Sequence, residues 1–249
     1  MRALLLGFLA FFLPLVADTQ SRIYGIFTVA AVRDSNLMMD TSGIVAKLFV
    51  DTGDSVSANQ PLLSLSNEDR IENLNMQQAQ LEGAKEQYLF AKKQYERYKR
   101  SGNAIDKNSL DQNYSNLKNA ESAYNNLQHS LKLQSELLRR TTLVAPFDGV
   151  IAARNIELGD GVGANQTKLF RLISHEKKLV IQFDSKHLAF VKEGSTYRYR
   201  IDGRGDELEA RIYKIYPAID SATRRVTAEA LAPDSLLPGL FGDGYILSD

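Results

Sequence analysis

The stretch that decides the fold runs from Asn67 to Arg140. Its first arm, NEDRIENLNMQQAQLEGAKEQYLFAKKQYERYKR (Asn67–Arg100), sets Leu74, Leu81, Tyr88 and Tyr95 seven residues apart. Its second, KNSLDQNYSNLKNAESAYNNLQHSLKLQSELLRR (Lys107–Arg140), repeats this with Leu110, Leu117, Tyr124, Leu131 and Leu138. An apolar residue every seventh position holds one seam of a helix against a partner helix. The link between them, Ser101 to Asp106, carries a helix stop at Gly102 and an N-cap candidate at Asp106. So short a connection makes the two helices antiparallel, a hairpin that reaches roughly 50 Å at 1.5 Å per residue. The other seam positions of the first arm are expected at Ile71, Gln78, Lys85, Lys92 and Lys99, which are mostly polar. A single apolar stripe is marginal alone. The hairpin is thus either a solvated spacer or a rod whose flanks meet neighbouring rods or a partner at its tip.

Working outward, the segments on either side of the hairpin are copies of each other. Gly43 corresponds to Gly149, Val45 to Ile151, Gly53-Asp54 to Gly159-Asp160, Val56 to Val162, and Ala58-Asn59-Gln60 to Ala164-Asn165-Gln166. Each pair shares one offset. Repeats are read as units that bury their apolar faces only together. Two copies of a short-strand unit would close on each other as one small β-sandwich, with Gly53, Asp54, Gly159 and Asp160 in matched turns. The chain leaving Leu65 and the chain entering at Thr141 must then be neighbours, so the hairpin projects as an insertion.

Beyond Lys178 the pattern is β again. Leu179–Phe183, Tyr197–Ile201, Glu207–Ile215, Arg224–Leu231 and Tyr245–Leu247 read as strands, with breaks at Pro217 and Pro233. Asp184-Ser185 caps a short helical turn stopped by Gly194. These strands suggest a small barrel, completed by the β-branched strand Ile23–Val32. The expected class is therefore mostly β with a long α-helical coiled-coil hairpin. Its organisation reads as a signal peptide at 1–21, a strand at 22–36 joining the barrel, a first sandwich half at 37–66, the hairpin at 67–140, a second half at 141–174 and the barrel at 175–249.

Composition excludes several classes. The 249 residues carry 30 basic and 30 acidic side chains, which gives no basic field for nucleic acid. There is no cysteine, hence no disulfide framework, thiolate nucleophile or lipid-anchored cysteine. His129, His175 and His187 lack ligand spacing, and no elbow motif supports a serine triad. Met1-Arg2 precedes an apolar run to Ala17. The run is short for a membrane span and fits a secretory signal or a retained anchor. Either places the rest outside the cytoplasm.

The chain resembles the periplasmic adaptor subunits, or membrane fusion proteins, of tripartite efflux pumps (the HlyD/RND type). The residues that carry this are Ser42-Gly43-Ile44-Val45, Gly53-Asp54-Ser55-Val56 and Gln60-Pro61-Leu62. They continue with Ala145-Pro146-Phe147-Asp148-Gly149-Val150-Ile151 and Glu157-Leu158-Gly159-Asp160-Gly161-Val162. In the last region they are Pro217-Ala218-Ile219-Asp220-Ser221-Ala222-Thr223-Arg224 and Leu237-Pro238-Gly239-Leu240-Phe241. The resemblance implies a split lipoyl-like sandwich, a hairpin and a barrel. It implies periplasmic, inner-membrane-associated assembly as a homo-oligomeric ring, between an inner-membrane transporter and an outer-membrane channel of the TolC type. The partner implied is an RND transporter, with an ABC exporter as the alternative. The family docks its hairpin tip through an Arg, a Leu and a Ser. Here Arg97 matches the first position, while Ser101 and Asp106 stand near the other two. The chain is expected to lack the family's membrane-proximal domain, as either a minimal adaptor or a truncated one would. The hairpin occupies the turn where lipoyl and biotinyl domains carry their modified lysine. No cofactor is therefore expected, and Lys47 and Lys168 read as solvated strand residues. A carrier-domain enzyme subunit and a free-standing envelope coiled-coil protein are the competing readings.

Overall fold

The structure is a computed structural model that describes residues 22–101, 106–203 and 205–247. The apolar segment read as a signal and the tip residues 102–105 lie outside them. In chain order the elements are β1 (Arg22–Ala31), β2 (Asp34–Leu37), β3 (Gly43–Leu48), β4 (Ser55–Val56) and β5 (Pro61–Leu65). The helices α1 (Glu68–Arg100) and α2 (Lys107–Arg139) follow. Then come β6 (Thr142–Val144), β7 (Gly149–Arg154), β8 (Gly161–Val162), β9 (Phe170–Ser174) and β10 (Lys177–Asp184). A 3-10 turn (Ser185–Phe190) leads to β11 (Thr196–Ile201), β12 (Glu207–Asp220), β13 (Arg225–Ala232) and β14 (Phe241–Leu247). The chain divides into two units, residues 33–175 and the two flanking segments together. Among the described residues no helix is long and apolar enough to cross a membrane.

The flanking unit is a closed barrel of order β1-β10-β13-β12-β11-β14. Strict alternation sends Ile23, Phe27 and Val29 of β1 inward to meet Leu179, Ile181 and Phe183 of β10. β1 pairs antiparallel with both β10 and β14, so the N-terminal segment closes the ring. Inside, the rings of Tyr197 and Tyr199 stack at 5.6 Å, and Phe27 meets each edge-on at 6.0 and 5.0 Å. Two inward glycines of β14 make room for them. A Cβ at Gly244 would meet the Arg198 carbonyl oxygen at 2.2 Å, and one at Gly242 the Arg200 carbonyl at 2.1 Å. The Tyr197 hydroxyl donates to the Gly25 carbonyl at 2.8 Å, whereas the buried Tyr199 hydroxyl has no partner among the described residues. An unpaired buried hydroxyl is costly and its removal is not. Tyr199→Phe is expected to leave the melting temperature unchanged or raise it, and Tyr197→Phe to lower it, by thermal circular dichroism.

Two sequence expectations are corrected here. Pro217 does not end a strand. β12 continues to Asp220, and the ladder slips between Ile215 and Ile219, so proline sits in a bulge where no ladder N–H is needed. Residues 34–36 do not extend the barrel strand, because β2 pairs with β9 in the other unit.

That other unit holds two four-stranded sheets, β2-β9-β7-β4 and β6-β5-β3-β8, over one core. Val45, Leu63 and Leu65 from one sheet pack with Ile151, Phe170 and Leu172 from the other. Each sheet takes strands from both repeats, which is why neither repeat closes alone.

The hairpin rises from this core. Leu74, Leu81, Tyr88 and Tyr95 are half-buried in its seam, as the heptad requires. The second seam position differs from the expected one. It is filled by Gln77, Ala84, Ala91 and Tyr98, not by Gln78, Lys85, Lys92 and Lys99, and Ile71 is 39% exposed. Alternating steps of three and four keep small side chains between the helices, while lysines one position later reach water. The Tyr88 and Tyr124 rings stack across the seam at 5.8 Å, and Ser130 Oγ donates to Gln77 Oε1 at 3.0 Å.

Candidate functional site

Two groups of residues stand out, the tip of the hairpin and the paired turns beneath it. At the tip Arg97 lies in the last turn of α1 with Lys99 and Arg100, favourable to the negative end of the helix. Ser101 is the C-cap, its hydroxyl donating to the Arg97 carbonyl at 3.1 Å and its N–H to Tyr98 at the same distance. Asp106 holds the N-cap position of α2 with extended backbone, but its side chain makes no capping hydrogen bond. All three are exposed. The structure therefore brings Arg97, Ser101 and Asp106 to one end of the rod, with Ser101 engaged by its own helix.

The paired turns obey a local two-fold relation. Gly53 and Gly159 have φ of +95° and +89°, conformations that favour glycine. Asp54 Oδ2 accepts from the Asp51 N–H at 2.7 Å, and Asp160 Oδ2 accepts from the Glu157 N–H at 2.9 Å. Each turn then docks on the strand of the other repeat. The Gly53 N–H donates to the Ile151 carbonyl at 2.8 Å, and the Gly159 N–H to the Val45 carbonyl at 2.9 Å. Asn59 and Asn165, at φ of +66° and +54°, donate to Ala145 and Met39 in the same reciprocal manner. Arg154 adds an asymmetric tie, reaching Asp51 at 2.9 Å and Glu157 at 2.8 Å. Hydrogen bonding to Arg154 and the Thr52 N–H holds the Asp51 carboxyl below its ordinary range. These carboxylates serve turn geometry and ion pairs. Asp54→Ala and Asp160→Ala are expected to give equal, modest decreases in melting temperature, since they remove equivalent bonds.

Where the hairpin meets the sheets, sequence reasoning missed a polar clamp. The Arg70 guanidinium donates to the Leu137 carbonyl at 3.1 Å, one of the acceptors left unpaired at the end of α2, and to Thr41 Oγ1 at 3.3 Å. Arg140 pairs with Asp40 at 2.9 Å, and Asn67 Nδ2 donates to Thr141 Oγ1 at 3.0 Å. Lone charges at 40, 70 and 140 carry no spacing that would betray this, because the β2–β3 connection meets the helices only in the fold. Lys47 in β3 is an exposed strand residue, whereas Lys168 is exposed in the connection between β8 and β9 and not in a strand, and no cluster among the described residues could hold a metal ion.

A two-helix insertion between the interlocked halves of a small β-sandwich, with a barrel built from the chain's two ends, is the fold of the membrane fusion proteins, also called periplasmic adaptors. Two solved structures share it. One is a MacA–MexA chimera carrying the Pseudomonas aeruginosa MexA α-hairpin domain. It is 19% identical, with coverage of 93% of this chain and 83% of that one and a TM-score of 0.74. The other is the membrane fusion protein Spr0693 from Streptococcus pneumoniae R6. It is 16% identical, with coverage of 91% and 99% and a TM-score of 0.68. An uncharacterised protein of Haemophilus influenzae is 28% identical over 213 residues, 82% of this chain and 52% of its own length. The chain thus spans about half of that curated relative. No protein-family model matches the sequence.

Proposed function

We propose that this chain is a non-catalytic periplasmic adaptor that links an inner-membrane transporter to an outer-membrane channel in an efflux pump. The observation that carries this reading is the α1–α2 hairpin mounted on the interlocked repeat pair, whose sheets we infer to be a split lipoyl-like sandwich. That arrangement carries the exposed residues Arg97, Ser101 and Asp106 at the far end of a long rod. The clamp at Arg70, Asp40 and Arg140 supports transmission of force from the sandwich into the hairpin. An RND-type transporter and a TolC-type channel are the partners that the Pro217–Arg224 and Leu237–Phe241 segments and Arg97 favour. In this mechanism the sandwich and barrel form a ring-shaped conduit wall of several copies, the transporter supplies the energy, and the tips engage the channel through Arg97, Ser101 and Asp106.

In-cell photocrosslinking from position 97 or 101 tests the proposal. An adduct with an outer-membrane channel protein is expected, and Arg97→Glu is expected to abolish it and raise drug susceptibility without changing protein abundance. Adducts confined to other copies of this chain in cells with a working pump would overturn the docking role.

A further inference from the structure

A groove of about 710 Å³ opens on the barrel wall where β1, the end of β10 and the start of β13 meet. Tyr24 and Ile26 of β1 form its apolar side, and Lys186, His187, Arg224 and Arg225 stand around it. Ser185 and Thr223 add two hydroxyl donors. Among the lining residues only Asp184 brings a carboxylate. That carboxylate is already engaged, accepting from the Lys186 N–H at 3.0 Å and from Lys186 Nζ at 3.2 Å. Asp220, in the neighbouring turn, accepts from the N–H groups of Ala222 at 2.9 Å and Thr223 at 3.1 Å. Pairing within the groove thus neutralises Lys186 and leaves Arg224 and Arg225 with no ion pair among the described residues.

Arginine is treated differently elsewhere on the barrel exterior. Arg198 pairs with Glu209 at 2.7 Å, and Arg200 lies 3.9 Å from Glu207. Arg225 is half-buried and lacks such a partner, an unfavourable position for a charge. Arg224 has a φ of +58°, a left-handed conformation that glycine or asparagine adopts with less strain. Two backbone bonds hold it there. The Arg224 N–H donates to the Asp220 carbonyl at 2.7 Å, and the Arg224 carbonyl accepts from the Ser185 N–H at 3.1 Å. The turn between β12 and β13 is therefore fixed against the 3-10 turn, with two adjacent guanidiniums on one groove. Strain kept where a less strained residue would serve the backbone points to a use for the side chain. Two guanidinium forks, an imidazole and two hydroxyls offer more donors than the two oxygens of a carboxylate accept. A tetrahedral phosphate, with three or four acceptor oxygens, matches them, and planar guanidinium is suited to bidentate contact with it. The Tyr24 and Ile26 side gives an organic substituent of that phosphate an apolar surface to lie on.

We propose that this groove is a binding site for a phosphate group, held by Arg224 and Arg225 with His187 and supplied either as inorganic phosphate or as the headgroup of an acidic phospholipid. The inference goes beyond the adaptor reading and requires no transporter, channel or second copy, so it stands or falls on the purified full chain. Isothermal titration calorimetry with inorganic phosphate is expected to show one site per chain, and acetate at the same concentration none. Arg225→Gln is expected to weaken phosphate binding roughly tenfold or more. Arg224→Gly is expected to weaken it similarly while the melting temperature stays unchanged or rises, because glycine relieves the positive φ. Arg200→Gln removes the same charge from another part of the barrel and is expected to leave binding intact. Flotation with phosphatidylglycerol vesicles, against phosphatidylcholine vesicles, separates the two sources. Capture by phosphatidylglycerol that Arg224→Gly and Arg225→Gln reduce assigns the lipid headgroup, and phosphate binding without such capture assigns the free ion. No binding of phosphate, equal binding of acetate, or equal losses in Arg200→Gln and Arg225→Gln would each overturn the site. A lower melting temperature in Arg224→Gly with unaltered phosphate affinity would make Arg224 structural and overturn its assignment.

Discussion

Gly149→Ala is expected to cost about 3 kcal/mol and to melt the sandwich unit well before the barrel. Gly149 sits in the second repeat, where β7 lies between β4 and β9, opposite Val56 and Ser174. A Cβ placed there would lie 2.2 Å from the Ile173 carbonyl oxygen and 2.9 Å from its carbonyl carbon. Backbone atoms inside a paired ladder cannot step aside without breaking the β7–β9 register that buries Ile151, Phe170 and Leu172. The matched position in the first repeat makes the control. A Cβ at Gly43 would approach only the Leu65 side chain, at 3.1 Å, and that side chain can rotate. Gly43→Ala is therefore expected to cost about 1 kcal/mol. Thermal melts of the two variants, with differential scanning calorimetry to resolve the units, check this. Equal effects at the two positions would mean the tight approach at Gly149 is wrong.

Lys178→Met is expected to be the most damaging single substitution on the barrel exterior. Glu229 is 3% exposed, and its carboxylate accepts from Lys178 Nζ at 2.5 Å, from the Tyr213 hydroxyl at 2.6 Å and from the Tyr216 hydroxyl at 2.7 Å. These groups come from β10, β12 and β13, so the network staples three strands outside the core. Burial pushes the Glu229 carboxyl up, but the hydrogen bonds from Lys178, Tyr213 and Tyr216 outweigh it and hold the group at about 2. A carboxyl depressed below its unfolded value stabilises the fold at any pH above about 4.5 and loses that contribution as pH falls toward 2. That contribution is worth about 3 kcal/mol. Denaturant titrations followed by near-UV circular dichroism are expected to show the barrel losing stability between pH 5 and pH 2. In Lys178→Met the loss is already present at pH 7, because the buried carboxylate has lost its cation, and the acid dependence flattens. A wild-type barrel with constant stability from pH 6 to pH 3 would refute this account.

The elements most legible in the sequence were those whose signal is local. The seven-residue recurrence of Leu and Tyr names two long antiparallel helices, and the structure has them as α1 and α2. The matched Gly-Asp turns at 53–54 and 159–160 were visible because positive φ and an Asx bond constrain residue type directly. The less legible features depended on contacts far apart in the chain. Nothing local distinguishes a seam carried by Gln77, Ala84 and Ala91 from one carried by Gln78, Lys85 and Lys92. The choice falls to whichever side chains lie between the helices once both are present. Likewise Pro217 reads as a strand end, and only the slip of β12 against β13 gives it a bulge to occupy. At the tip, Arg97, Ser101 and Asp106 were placed by motif position, and the fold brings them to one exposed end. The clamp of Arg70 to Leu137 and Thr41 was not legible at all.

What the sequence by itself determined, then, is the inventory: a heptad hairpin, two copies of one strand-and-turn unit, and alternating strands with no cysteine and no net charge. Side-chain period and turn chemistry are properties of neighbouring residues, so they survive without the fold. Tertiary structure alone decided which strands are partners. It exchanged strands between the repeats, so that each Gly-Asp turn bonds to the other copy, and it closed the barrel with β1 against β14 across the whole length of the chain. Those choices follow from burying shared apolar faces and satisfying every ladder hydrogen bond at once, a condition no local segment can express.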